Sequence, residues 1–438
     1  VDDLEKLLYM LEIQILRDQK DRAVAGLKKR GFSDERLLII DQIVSMDDLR
    51  KDLQTQLDIQ LNERNTLSEE IGNLFKSGKA QEANQLKIKV QATKGAAEAL
   101  ESKLQQTKSE LDALLVSFPN IPHANVPEGR TPEDNKVEKA WEGEFPVLPE
   151  GALPHWELAE KYNLIDFKLG AFITGSGFPL YRGKGARLQR ALINYFLDQA
   201  RRAGFEEILP PFMVNADSAY GTGQLPDKEA QMYYMEKDDL YLVPTAEVPV
   251  TNMYRGQIVA ETDLPIKLTA YTPCFRREAG SYGSDVKGLN RVHQFDKVEI
   301  VQFEHPSRSY ETLQTMVDHV SHLLESLELP YRILHLCGGD MGFTSATTYD
   351  FEVYSAAQQK WLEVSSVSNF ESFQANRMKI RFKDEKGKMQ LVHTLNGSAL
   401  ALARIVAALL ENNQTENGIR LPQVLVPYTG FEFIGAEE

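Results

Sequence analysis

A chain of 438 residues exceeds what one ordinary core needs, so two domains are expected. A formal net charge of −15 argues against a general nucleic-acid binder and confines any nucleic-acid contact to a local patch. The hydrophobic fraction of 42% contains no apolar run long enough for a bilayer, so no membrane partner is expected; two isolated cysteines, Cys274 and Cys337, argue against structural zinc and fit a reducing, cytoplasmic setting.

The opening Val1-Asp2-Asp3-Leu4-Glu5 is acidic and carries no signal or transit pattern, and Met10 is a candidate natural start. Residues 1–45 are expected to hold at least one helix, packed at the base of the next element. From about 47 to 116 there is no proline, and the pattern reads as two long helices. In the second, Leu86, Val90, Thr93, Ala97, Leu100, Leu104, Thr107, Leu111 and Leu114 step by fours and threes, an unbroken heptad seam. The first carries Leu49, Leu53, Leu57, Leu61, Leu67, Ile71 and Leu74 in a less regular stripe. Lys76-Ser77-Gly78-Lys79 reads as a turn, so the pair should fold back as an antiparallel coiled coil reaching roughly 45 Å. Between 76 and 94, Lys76, Lys79, Lys87, Lys89 and Lys94 face only Glu82. The tip is either a solvated face or a surface that tracks phosphates.

Phe118 to Gly129, rich in proline and asparagine, ends the helical pattern. The expected division is a helical domain over 1–116, a linker over 117–130 and a second domain over 131–438. In the latter, helices are predicted at 185–203, 308–328 and 397–413. Strands are predicted at Leu240–Val243, Lys297–Phe303, Tyr331–Cys337, Tyr349–Tyr354, Trp361–Ser365 and Arg377–Phe382. Successive strands without intervening helices favour an α+β antiparallel sheet flanked by helices. Neither a P-loop nor a dinucleotide fingerprint is present, so ATP, if bound, is not held by a Walker loop.

Three stretches could carry chemistry. Phe275-Arg276-Arg277-Glu278, a glycine-rich loop from Ala279 to Asn290, and Arg291-Val292-His293-Gln294-Phe295 would bring a guanidinium, a carboxylate and an aromatic face over one patch. That set suits phosphate, an exocyclic amine and a base; it equally suits a surface hairpin with an ion pair. Trp361-Leu362-Glu363-Val364-Ser365-Ser366 offers oxygens to Mg²⁺, or a solvent-facing Glu363. Glu363 and Ser366 differ in parity, so joint ligation requires the strand to end or bulge between them. Asn396-Gly397-Ser398 is expected to cap an apolar helix whose N-terminus suits an anion. Arg404 on that helix wants an acidic partner or a phosphate.

Taken in order, these features resemble the three signature motifs of class II aminoacyl-tRNA synthetases: the helix 185–203 leading to Leu209-Pro210-Pro211, F-R-x-E followed by R-x-x-x-F, and the Gly-Ser segment with Arg404. Thr245-Ala246-Glu247, Val292 to Glu299, Glu363 to Ser366, Asn396-Gly397-Ser398 and the N-terminal arm are similar to seryl-tRNA synthetases of bacterial type, over about residues 10–435. The resemblance implies a class II synthetase sheet with a coiled-coil arm, and ATP-dependent activation of L-serine followed by transfer to tRNA(Ser), and to the selenocysteine tRNA where the host has one. It implies ATP binding by Arg276, Arg277, Glu278, Val292, His293, Gln294, Phe295, Glu363, Val364, Ser365, Ser366 and Arg404, with Arg276 and Arg404 catalytic. Arg276 would hold the α-phosphate and the serine carboxylate, Glu278 would read the adenine amine, Phe295 would stack on the ring, and Arg404 would take the γ-phosphate. Serine would sit among Thr245, Ala246, Glu247, Arg276, Glu299, Asn396 and Ser398, and Mg²⁺ on Glu363 and Ser366. The arm lysines and Lys287 would meet tRNA, and helix 185–203 with Pro211 would form a homodimer interface. Alanines at 399 and 403 stand where the family often has glycine and would add methyls near the nucleotide; Lys287 stands where it often has arginine. The alternatives are a paralogue that loads a carrier protein, a non-catalytic RNA-binding relative, and another class II specificity such as threonine.

Overall fold

A computed structural model describes residues 11–227, 230–278 and 287–435. Residues 1–10 and the expected loop residues 279–286 lie outside them. The chain divides into two compact units: residues through Lys28 with Phe32–Pro119, and Lys29–Gly31 with Asn120 onward. Among the described residues no helix is long and apolar enough to cross a membrane.

The first unit is helical throughout. Short helices at Ile13–Asp18, Lys20–Lys29 and Asp34–Leu37 precede two long ones, Ile39–Lys76 and Ala80–Val116. The first long helix thus starts before residue 47. The reversal is made at Gly78, whose φ of +75° suits glycine. Leu53, Leu57, Ala97 and Leu104 form the buried seam, with Leu61 and Leu100 packed against it. Ala83 extends the seam toward the tip, and Leu115 rather than Leu114 closes it at the base.

Leu49 departs from the expected stripe, being exposed, while Asp47 on another face of the same helix is buried. Arg17 lies 3.0 Å from Asp47, Arg50 2.8 Å and Lys51 2.7 Å. Burial opposes ionisation, but the bonds from Lys51 and Arg50 outweigh it and hold this carboxyl below its ordinary value. The carboxylate can be buried there because three cations meet it.

The second unit is built on an eight-stranded sheet. In chain order its strands are β1 (Lys136–Lys139), β2 (Glu206–Ile208), β3 (Ile266–Phe275), β4 (Gln294–Glu304), β5 (Tyr331–His335), β6 (Thr347–Ser355), β7 (Lys360–Asn369) and β8 (His393–Ala401). They lie in the order β1-β5-β6-β7-β8-β4-β3-β2. All pairs are antiparallel except β2 with β3. The expected α+β class therefore stands. Helices Gly183–Arg202, Ser309–Ser326 and Leu402–Asn412 supply Leu192, Phe196, Leu324, Ile405 and Leu409 to the core behind the sheet, against Ile300, Phe351 and Val367.

Two predicted elements are corrected. Residues 397–401 end strand β8, and the helix runs Leu402–Asn412, so Asn396 and Ser398 cap nothing. Pairing with β4 overrides the local helical pattern, because an apolar run suits a buried strand as well as a buried helix. Arg377 lies in the helix Phe373–Met378, and only Arg381–Lys383 is strand.

Candidate active site

One face of β4 organises the site. Phe295, Lys297 and Glu299 alternate along it, opposite Cys274, Thr272 and Ala270 of β3. On the other side Glu299 pairs with Ser398, and Val301 with Asn396; Asn396 in turn pairs with Ser368 of β7. The aromatic residue expected to stack on a base and the polar residues expected to read serine therefore share one surface.

The polar end of that surface is buried. Glu299 and Lys297 are 2% and 5% exposed, and their charged atoms lie 2.6 Å apart. The Thr245 hydroxyl donates to the Glu299 carboxylate at 3.2 Å and accepts from the Glu247 backbone N–H at 3.2 Å. Gln374 donates to Glu247 at 2.7 Å and accepts from Thr394 at 2.7 Å. Burial, then the nearby Glu299 carboxylate, push the Glu247 carboxyl up to about 7. Ala246 is fully buried and helps pack the start of the helix Glu247–Asn252. Lys297 and Gln374 were not singled out in the sequence. The alternation of Lys297 with Phe295 and Glu299 is a signal that could have found the former; nothing local marks the latter.

Arg276 follows the last residue of β3. Its backbone N–H donates to His293 O at 2.9 Å, its Nε donates to Pro244 O at 3.3 Å, and its guanidinium stands 5.3 Å from the centre of the Phe295 ring. Arg277 donates to Met232 O and lies over Tyr233. Glu278, at φ +49°, accepts from Arg291 at 2.5 Å, so the carboxylate expected on the adenine amine is held by an arginine 13 residues on in sequence. His293 stacks on Phe178, and its Nδ1 is 3.0 Å from the Tyr233 hydroxyl. Val292 is buried in the core, and Gln294 is exposed opposite Phe275. Lys287 is exposed, with its ammonium 5.1 Å from the Trp156 ring.

The parity problem in β7 is solved by a bulge. Glu352 pairs with Glu363 and Phe351 with Ser365, which leaves Val364 as the extra residue. Glu363 and Ser366 consequently face the same side, opposite Glu352 and Asp350. Val364 is buried in the core, and the Ser365 hydroxyl donates to Ser398 O at 2.6 Å. The Ser366 hydroxyl donates to Asp350, a residue the sequence reading passed over. Burial, then Glu363, hold the Asp350 carboxyl well above the ordinary range. Asp350, Glu363 and Ser366 line a cavity of about 680 Å³. Crowded carboxyl and hydroxyl oxygens with excess negative charge fit a hard divalent cation that takes its other ligands from phosphate and water.

Arg404 reaches the same region from the first turn of its helix. Its Nε donates to Asn290 O at 2.9 Å and its Nη1 to Glu363 O at 2.7 Å, with the Glu363 carboxylate 3.7 Å away. Its side chain remains 30% exposed. Ala399 and Ala403 sit in the core cluster, so their methyls pack among apolar side chains.

The seryl-tRNA synthetase N-terminal domain matches residues 10–122, and the tRNA synthetase class II core domain (G, H, P, S and T) matches residues 232–413. The serine–tRNA ligase of Salinibacter ruber is 51% identical over 430 residues, covering 98% of this chain and 100% of that protein. That of Chlorobium chlorochromatii is 46% identical, covering 96% and 99%. The crystal structure of seryl-tRNA synthetase from Pyrococcus horikoshii complexed with ATP superposes with a TM-score of 0.88 at 34% identity, covering 98% of this chain and all of that one. With this site on this sheet and these likenesses over nearly its whole length, the chain belongs to the seryl-tRNA synthetase family, the class II aminoacyl-tRNA synthetases that ligate serine to tRNA.

Proposed function

We propose that this chain activates L-serine with ATP on the β4 face and passes it to tRNA, with Arg276 and Arg404 holding the nucleotide and the Glu299 pocket reading the side chain. The observation that carries the reading is the alternation of Phe295, Lys297 and Glu299 along one strand, which gives the base platform and the serine pocket a common floor. In the first step a serine carboxylate oxygen attacks the α-phosphorus, the bond to the bridging oxygen breaks, and pyrophosphate leaves. The terminal ribose hydroxyl of tRNA then attacks the acyl carbon and AMP leaves. Neither step asks much beyond positioning and charge neutralisation. Arg276 meets the α-phosphate and the carboxylate, and Arg404 the γ-phosphate. Glu363 and Ser366 would hold Mg²⁺, which supplies further positive charge when bound.

Serine differs from alanine by one hydroxyl. Thr245, Glu299 and Ser398 are buried, so an analogue lacking that hydroxyl leaves polar groups without a partner. Pyrophosphate exchange across the twenty amino acids is therefore expected to prefer serine over alanine by about 100-fold or more. Exchange without that preference would remove the pocket assignment.

Glu247 gives the pocket a pH dependence. Its value of about 7 in the fold lies above the ordinary 4.5. The fold thus favours the neutral form, and the stability from this group is present at low pH and lost as pH rises through about 7. The serine ammonium favours the ionised form, so KM for serine should fall as pH rises through 7. Glu247→Gln should flatten that limb and raise the melting temperature relative to wild type at pH 8 but not at pH 5. A serine KM with the same pH profile in both proteins would contradict this role.

The helical unit is assigned to tRNA. Lys76, Lys79, Lys87, Lys89 and Lys94 are all exposed. Lys79 and Lys94 have Glu82 and Glu98 as neighbours, and Lys87 lies over Phe75. Helix Gly183–Arg202 and Pro211 are assigned to a homodimer interface. The support is the exposure of Leu209, Phe212 and Met213 beside a cavity of about 520 Å³ lined by Ile193, Leu197 and Leu209.

A further inference from the structure

We propose that His155, backed by Glu411, is a positioning residue for nucleotide binding: its neutral ring anchors the segment Gly288–Asn290 and, through Asn290, sets the guanidinium of Arg404. The inference rests on the assignment of Arg404 to ATP.

His155 and Glu411 are both fully buried, with Nδ1 of the ring 2.7 Å from the Glu411 carboxylate. The same carboxylate oxygen accepts from the His155 backbone N–H at 2.9 Å and from Gln358 at 2.9 Å, and the other accepts from the Ser355 hydroxyl. Burial opposes ionisation of Glu411, but the bonds from His155 and Ser355 outweigh it and hold the carboxyl below its ordinary value. An anionic acceptor at Nδ1 places the ring proton there. Nε2 is then an acceptor, and the Leu289 backbone N–H donates to it at 2.8 Å. Main chain and carboxylate together select one neutral tautomer.

The loop backbone lies directly on this ring. Gly288 has φ +63°, and a Cβ there would stand 2.2 Å from Nε2. The next residues carry the contact onward. The Asn290 side-chain amide donates to Gln358 at 2.8 Å, and the Asn290 main-chain carbonyl accepts from Arg404 Nε at 2.9 Å. Arg404 and Glu411 belong to the same helix, Leu402–Asn412. The path Glu411–His155–Leu289–Asn290–Arg404 therefore closes on one rigid element. It fixes both the entry to β4, which carries Phe295, and the arginine that reaches toward it. His155 itself is sealed from substrate, so its effect is exerted through position.

Two substitutions separate its two nitrogens. Glutamine offers an oxygen near the place of Nε2, whereas asparagine keeps only a donor toward Glu411. In pyrophosphate exchange by the full chain, His155→Gln should keep KM for ATP within about twofold. His155→Asn should raise it about tenfold, as expected for one lost bond to a main-chain group. Both should leave KM for serine within about twofold. A wild-type KM for ATP in His155→Asn overturns the proposal. So do equal rises in both KM values, or a fall in melting temperature and active fraction in both variants with neither KM moved. Arg404→Ala distinguishes the levels. If it leaves KM for ATP unchanged, the assignment of Arg404 fails and takes this proposal with it. If it raises KM for ATP while His155→Asn does not, the role of His155 alone fails.

Discussion

Arg276→Ala is expected to lower serine-dependent pyrophosphate exchange by about a thousandfold while the protein stays folded. The guanidinium contributes one long bond to Pro244 O and a position over Phe295. Its loss should cost stability only about 1 kcal/mol. The backbone bond from residue 276 to His293 O survives the substitution. A positive group aimed at charge that develops during reaction is worth far more, about 3–4 kcal/mol in comparable clamps. Arg276→Lys should recover only part of the loss, because an ammonium cannot grip a phosphate and a carboxylate with one rigid fork. Exchange rates and melting curves of the two variants check this. Exchange within tenfold of wild type in Arg276→Ala would sink the assignment.

Shortening the arm should separate the two half-reactions. Replacing residues 62–94 by a short turn removes Lys76, Lys79, Lys87, Lys89 and Lys94. It keeps Leu53, Leu57, Ala97 and Leu104, and the buried Asp47 with its cations at the base. Exchange should stay within about twofold, since no described residue of the sheet face is touched. Charging of tRNA(Ser) should fall by two to three orders of magnitude, on the order of what several lost phosphate contacts cost. In the full-length chain, single Lys→Ala changes at 87 or 89 should each reduce the salt slope of tRNA binding by about one. Equal loss of exchange and charging on shortening would contradict the arm's role.

The arm was legible because its signal is local and periodic. The glycine at 78 and the seam from Val90 to Leu111 follow from spacing alone. Leu49 fits the stripe by spacing alone, yet the structure leaves it exposed and buries Asp47 on another face, held by Arg50 and Lys51 of the same helix and by Arg17, far away in sequence. Asn396 and Ser398 were read as a helix cap because a run of small and apolar residues has no period that distinguishes a buried strand from a buried helix. Only the ladder with β4 settles that choice. The bulge at Val364 could be stated as a requirement, though not as a fact, since parity says what must break and not whether it does.

By itself the sequence determined the coiled-coil pair and the antiparallel α+β class, and, through the order of its motifs, the reaction type. These rest on periodicity and on residue types whose chemistry is carried wherever they stand. Tertiary structure alone decided which of those residues share a surface. It joined Lys297 to Glu299, Asp350 to Ser366, Glu278 to Arg291, and His155 to the loop beside Arg404. It also turned Ala399 and Ala403 into the core. The reason is physical: strand register and bulges set the direction of the side chains on the sheet, and neither follows from local spacing.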